Sequence, residues 1–210
     1  MSRPSLFSHK ISHYCVSAER MLAFKGIDFV RLPVRYDNRQ ELIQRTHQDY
    51  MPALLWDDRP ISWDQIPDFL EAKAPNPTLY PGGQRGIAKA LEQWGHQVVE
   101  EKVWRAVVTR VPPVLSDDSE RWVFEELQTR ARGPWHVLES RRPEYEREMF
   151  DTLRMVEEML ADRAWILGEP SVADFGIYGS ISPLMTVGAA LPPEFPRMRS
   201  WAAAIENLAK

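Results

Sequence analysis

Apolar positions follow two periods in the first third of the chain and a single period after it. Residues 5–9 form a short segment that predicts a first strand. In residues 12–26, SHYCVSAERMLAFKG, the side chains of Ala18, Met21, Leu22 and Phe24 make a mostly apolar stripe, and Gly26 is placed to end the helix. Residues 27–34 roughly alternate apolar and polar, as a second strand does. Asp37 or Asn38 can cap a short helix through Thr46. The run Pro52-Ala-Leu-Leu-Trp56 predicts a third strand with Pro52 at its first residue, where the missing N–H breaks no ladder. Asp57-Asp58 turns the chain, and residues 59–62 begin the return strand. Pro67 has to fall in the first turn of the next helix, which runs to Lys73. Asp64 is therefore the expected N-cap, and Ile66, Phe69 and Leu70 the buried face.

Residues 74–83, APNPTLYPGG, read as a linker, and everything after them follows the helical period. Residues 86–110 carry one long pattern stopped by Pro112-Pro113. Residues 117–130 predict a helix with Trp122, Phe124 and Leu127 inward, residues 134–142 a short helix or loop, and residues 143–162 a strong helix on Met149, Leu153, Val156 and Leu160. Ser171 and Asp174 make an acidic relative of the capping box. The helix they start, with Phe175, Ile177, Tyr178 and Ile181, is apolar enough to be a central core helix. A last helix covers residues 197–208. The chain thus divides into a β-α-β-α-β-β-α segment (1–74), a linker (75–85) and an all-helical segment (86–210).

Composition narrows the function classes. Hydrophobic residues at 44% and charged residues at 27% describe an ordinary globular protein, and a net charge of −4 with mixed signs offers no basic stripe for nucleic acid. No apolar run approaches the roughly 20 residues that span a bilayer, and the first residues lack a signal-peptide core, so the cytoplasm is the expected setting. Cys15 is the only cysteine, which excludes an internal disulfide framework and a cysteine-based zinc site. His9 and His13, at i, i+4, straddle a strand end and a turn with no acid beside them, a poor metal site. Cys15 begins a helix, where unpaired N–H groups and the helix dipole favour thiolate over thiol and suit a nucleophile or a thiol-binding site. A lone cysteine packed as a small hydrophobe is the equal alternative on spacing alone.

Together these pieces resemble the cytosolic glutathione transferase superfamily. Four places carry the resemblance: Ser12-His-Tyr-Cys15 with the helix ending Lys25-Gly26-Ile27, Met51-Pro52-Ala-Leu-Leu, the Pro/Gly linker, and Gly168-Glu-Pro-Ser171-Val-Ala-Asp174-Phe. The resemblance implies a thioredoxin-like α/β N-terminal domain plus an all-α C-terminal helical bundle, a cis bond at Pro52, glutathione as co-substrate, a small apolar electrophile and a homodimer. Cys15 matches the cysteine of the family's thiol-transferring members, and Ser12 the hydroxyl that activates glutathione in its serine-type members. Met51 would offer its backbone to the cysteinyl part of glutathione. For Tyr14, packing under the helix is the reading preferred to a role in the site.

One segment departs from the family pattern. An acid followed by Ser or Thr normally grips the γ-glutamyl group, but here the chain reads Ser62-Trp63-Asp64-Gln65. Aligned without gaps, Ser62-Trp63 fills those slots and the acid is lost; aligned on the helix start, Asp64-Gln65 fills them and the hydroxyl is lost. The altered grip corresponds to roughly 1–3 kcal/mol for an unmade charge-assisted bond. Two functions follow: a glutathione-dependent transferase with Cys15 handling the thiol, or a non-catalytic binding module on the same fold. A dithiol reductase is disfavoured, because Cys15 has no second cysteine at C-x-x-C spacing.

Overall fold

The computed structural model describes residues 3–208. Strands β1 (Ser5–Ser8), β2 (Val30–Pro33), β3 (Ala53–Trp56) and β4 (Arg59–Ser62) form one sheet in the order β2-β1-β3-β4. β1 and β2 are parallel because helix α1 (His13–Phe24) crosses back between them; β3 and β4 pair antiparallel. Their turn places Asp57 and Asp58 at φ 49° and 60°, the left-handed pair that a tight hairpin needs to match strand twist. β2 is shorter than the alternation predicts. Gly26, at φ 64°, lets Gly26 N–H and Ile27 N–H bond back to the carbonyls of Ala23 and Leu22, so the next residues close α1 instead of pairing.

The two-residue period of the strands divides the core. Phe7, Ala53 and Leu55 face one side with Val34 and with Leu42 of α2 (Gln40–Thr46). Leu6, Leu54 and Ile61 face the other, under α1 and α3 (Ile66–Lys73), and join the core of the helical layer. That layer holds α4 (Arg85–Trp94), α5 (Glu100–Val107), α6 (Asp118–Arg132), α7 (Trp135–Ser140), α8 (Arg142–Met159), α9 (Val172–Thr186) and α10 (Pro196–Asn207). The predicted long helix after the linker is one rod with a π turn at Gly95–Val99 and a 3₁₀ turn at Val108–Arg110. α6 is capped by Asp117, which accepts from the Glu120 N–H at 3.1 Å. Phe124 is buried on it as expected, but Trp122 is 65% exposed, because its helix face turns to solvent.

Helix α9 is the axis on which the layers meet. Gly179 faces α1 so closely that an added Cβ would lie 2.5 Å from the His13 carbonyl oxygen. The predicted capping box is present, and Asp174 does more than cap. Its carboxylate accepts from the Ser171 N–H (3.0 Å) and hydroxyl (2.6 Å), the Ile166 N–H (2.9 Å) and the Trp201 indole N–H (2.9 Å), tying α10 to the start of α9. On the other side Lys25, closing α1, donates to Glu71 of α3 and to the carbonyls of Ala74 and Pro77. No described helix is long and apolar enough to cross a membrane.

Candidate functional site

Strand register gathers four segments at one end of the sheet. Ser8 pairs with Pro33, Phe7 with Ala53, and Ala53 with Ser62. The chain leaving β1, β2 and β4 and the chain entering β3 therefore all lie at that end. They carry residues 9–12, residues 34–39, Met51-Pro52 and Trp63-Asp64-Gln65.

Ser12 is the N-cap of α1, extended at φ −77°, ψ 116°, and half-buried. Its N–H donates to the His9 carbonyl at 3.0 Å and its carbonyl accepts the Val16 N–H at 3.0 Å. The hydroxyl does not cap its own helix. The N–H groups of the first turn therefore point into the site without an intrahelical acceptor, at the positive end of the helix dipole. Opposite, the Met51–Pro52 bond is cis, and among the described residues the Met51 N–H and C=O take no hydrogen bond.

Cys15 packs on the inward face of α1 instead. It is 0% exposed, in register with Ala18 and Leu22 on the buried stripe of α1, and its Sγ accepts from the His9 N–H at 3.4 Å. Burial pushes the thiol up to about 12, outweighing the hydrogen bonds from Ser12 and His9. Complete desolvation of a charged sulfur here opposes the thiolate that the helix end would favour. The packing reading of Cys15 is the one this geometry follows, and periodicity held the clue in the i, i+3, i+7 spacing of residues 15, 18 and 22.

The segment after β4 also differs from expectation. α3 begins at Ile66, so Gln65 rather than Asp64 is its N-cap, and Pro67 still lies in the first turn. Asp64 is exposed and its carboxylate is taken by the Ser62 hydroxyl at 2.5 Å, which removes it from capping. Trp63 turns the other way. Its ring lies 4.5 Å from Tyr14 and 6.2 Å from His96, while Tyr14 lies 4.4 Å from His96 and 3.9 Å from His13. Tyr14 thus packs beside the helix start, against residues of both layers.

This aromatic cluster was not predicted from sequence. His96 enters it from the π turn, a local insertion that a simple 3.6-residue period hides and that frequently marks functional helices. Burial holds His96 down at about 4 and His13 well below its ordinary value, so both imidazoles are neutral. Below them Glu100 pairs with Arg132 at 2.7 Å, and burial still pushes its carboxyl up to about 7. Glu120, buried on α6, accepts from His9 Nε2 at 3.2 Å and from the Tyr36 N–H at 3.1 Å.

No protein-family model and no curated protein matches the chain. Solved structures do. The chain is similar to glutaredoxin 2 from Salmonella typhimurium in complex with glutathione, with TM-score 0.81 and 14% identity over 100% of this chain and 95% of that one. It is similar to a glutathione transferase from Phanerochaete chrysosporium with TM-score 0.81 and 16% identity, covering 100% of this chain and 97% of that one. A glutathione S-transferase from Rhodospirillum rubrum matches with TM-score 0.76 and 19% identity, over 97% and 87% of the two chains. The fold is that of the glutathione transferases. Within that fold, Trp63, at the end of the sheet that carries Ser12 and Met51, meets His96 of the helical layer.

Proposed function

We propose that the chain is a glutathione-dependent transferase in which Ser12, not Cys15, handles the thiol. One juxtaposition carries the reading: the Ser12 hydroxyl, half-buried at the N-terminus of α1 beside Cys15, lies at the same end of the sheet as a Met51 backbone whose N–H and C=O take no partner among the described residues. Met51 would pair with the cysteinyl backbone of glutathione, as an added strand pairs with an edge. The Ser12 hydroxyl would then donate to the sulfur, and the α1 dipole would add to its stabilisation, so that the thiol ionises near neutral pH. The thiolate attacks the electrophilic carbon of a small apolar substrate. A C–S bond forms, and the leaving group departs with the bonding electron pair.

The γ-glutamyl end would meet the N-terminus of α3 near Gln65, with Trp63 and Asp64 replacing the expected acid-hydroxyl grip. The cytoplasmic setting and homodimeric assembly implied by the resemblance go with this reading. Calorimetric titration with reduced glutathione and a conjugation assay test it. Ser12→Ala should lose about 10- to 100-fold in rate, the scale of a hydrogen bond to a charged group. Cys15→Ala should keep the wild-type rate. Absence of binding at millimolar glutathione would favour the non-catalytic module. Loss of activity in Cys15→Ala with Ser12→Ala intact would return the role to the cysteine.

A further inference from the structure

His9 has no idle polar group. Its N–H donates to Cys15 Sγ, its carbonyl accepts the Ser12 N–H at 3.0 Å, and its Nδ1 accepts the Ile11 N–H at 3.2 Å. That acceptor role assigns the imidazole proton to Nε2, which donates to Glu120 at 3.2 Å. Glu120 is 0% exposed and comes from α6, so the bond crosses from the helical layer to the loop that ends at Ser12. The same carboxylate accepts the Tyr36 N–H and the Ser116 N–H, each at 3.1 Å. The Tyr36 ring, 4.8 Å from His9 and 5.3 Å from Phe124, closes the space around the pair.

We infer that Glu120 and His9 are a positioning pair: a buried carboxylate of the helical layer, acting through one imidazole, holds the Ser12 hydroxyl where the glutathione sulfur would lie. The inference rests on the function proposed above and adds two residues that never touch the ligand. His9 is no general base here, because its basic nitrogen is occupied by Ile11 and burial keeps the ring neutral despite Glu120. Burial opposes the charge of Glu120, but the Ser116 and Tyr36 N–H groups outweigh it and leave the carboxyl below its ordinary value. An ionised, fully engaged anchor of this kind fixes geometry without moving a proton.

The test compares Glu120→Gln, His9→Asn, Ser12→Ala and the double variants of Ser12→Ala with each of the first two. The thiol pKa of bound glutathione is read from thiolate absorbance, and its Kd from calorimetry. His9→Asn keeps an acceptor for the Ile11 N–H while cutting the link to Glu120, and it serves where Glu120→Gln fails to fold. Each single variant should raise the bound-thiol pKa by about one unit, a tenfold loss of thiolate below that pKa. The Kd should change by less than about threefold. Added to Ser12→Ala, neither substitution should shift the thiol further, because both act only through that hydroxyl. An unchanged thiol pKa in the single variants, or additive shifts in the double ones, would overturn the pair. So would failure of both Glu120→Gln and His9→Asn to fold, which would make the link a folding element. Wild-type protein that binds no glutathione would instead overturn the proposed function, and this inference with it.

Discussion

Lys25 offers the sharpest test of how the fold is held together. Its side chain is 0% exposed, and all three ammonium protons are used: 2.6 Å to Glu71 Oε2, 2.7 Å to the Ala74 carbonyl and 2.6 Å to the Pro77 carbonyl. One side chain thus joins the end of α1, the end of α3 and the linker. Lys25→Met keeps the aliphatic stem and removes only the charge. Two part-buried carbonyls then lose their donor, at up to about 1–3 kcal/mol each. Glu71 loses less, since it retains the Thr78 hydroxyl at 2.5 Å and the Leu79 N–H at 2.9 Å. The sum falls at about 3–5 kcal/mol, the range expected when a buried pair loses one partner. That is a third or more of the roughly 5–15 kcal/mol that holds a typical domain folded. Urea titration followed by tryptophan fluorescence measures it, with Lys10→Met, an exposed lysine, as reference at less than about 0.5 kcal/mol. A loss below about 1 kcal/mol for Lys25→Met would refute the assignment of Lys25 as the tie between the two helices and the linker.

Cys15 should resist thiol reagents in native protein at neutral pH and react fully once urea unfolds the chain; stoichiometric labelling of native protein would contradict its burial. Gly179→Ala should cost about 1–3 kcal/mol, because the new Cβ meets the His13 backbone oxygen, which cannot swing aside, and the thermal midpoint reads the loss. Glu92 should contribute a fall in stability as pH rises from about 4.5 to about 8, opposed below about 6.5 by the buried, neutral His96 and His13. Burial pushes Glu92 up to about 8, so in that window its carboxyl holds a proton in the folded state that it loses in the unfolded one. Glu92→Gln should flatten the fall, as urea midpoints at about pH 6 and about pH 9 would record; an identical slope in the variant would assign the effect elsewhere.

Much of the fold was legible because its signals are local. The stripe of α1 ended by Gly26, the Asp57-Asp58 hairpin, the apolar positions Met149, Leu153 and Val156 of α8 and the Ser171–Asp174 box each depend on residues a few positions apart. The errors arose where a competing side-chain contact or the packing of a face, rather than the period, decides. Asp64 reads as a cap until the Ser62 hydroxyl is seen to take its carboxylate. Trp122 reads as inward from its character alone, though that face of α6 meets solvent. The candidate site was legible in part. Ser12, Met51 and Trp63 come to one end of the sheet, whereas Glu120 reaches His9 across 111 positions with no sequence signal.

The cysteine-bearing stretch marks the boundary between the two kinds of information. The sequence by itself determined that the stretch 12–26 carries a helix starting near Cys15 and that its end is closed by Gly26, because capping and period are short-range properties of the backbone. Only the tertiary structure decided what the helix start can do chemically. The dipole that favours a thiolate is local, but the desolvation that forbids one is imposed by the packed layers around Cys15. Ser12, at the start of the same helix, stays half-buried beside Cys15.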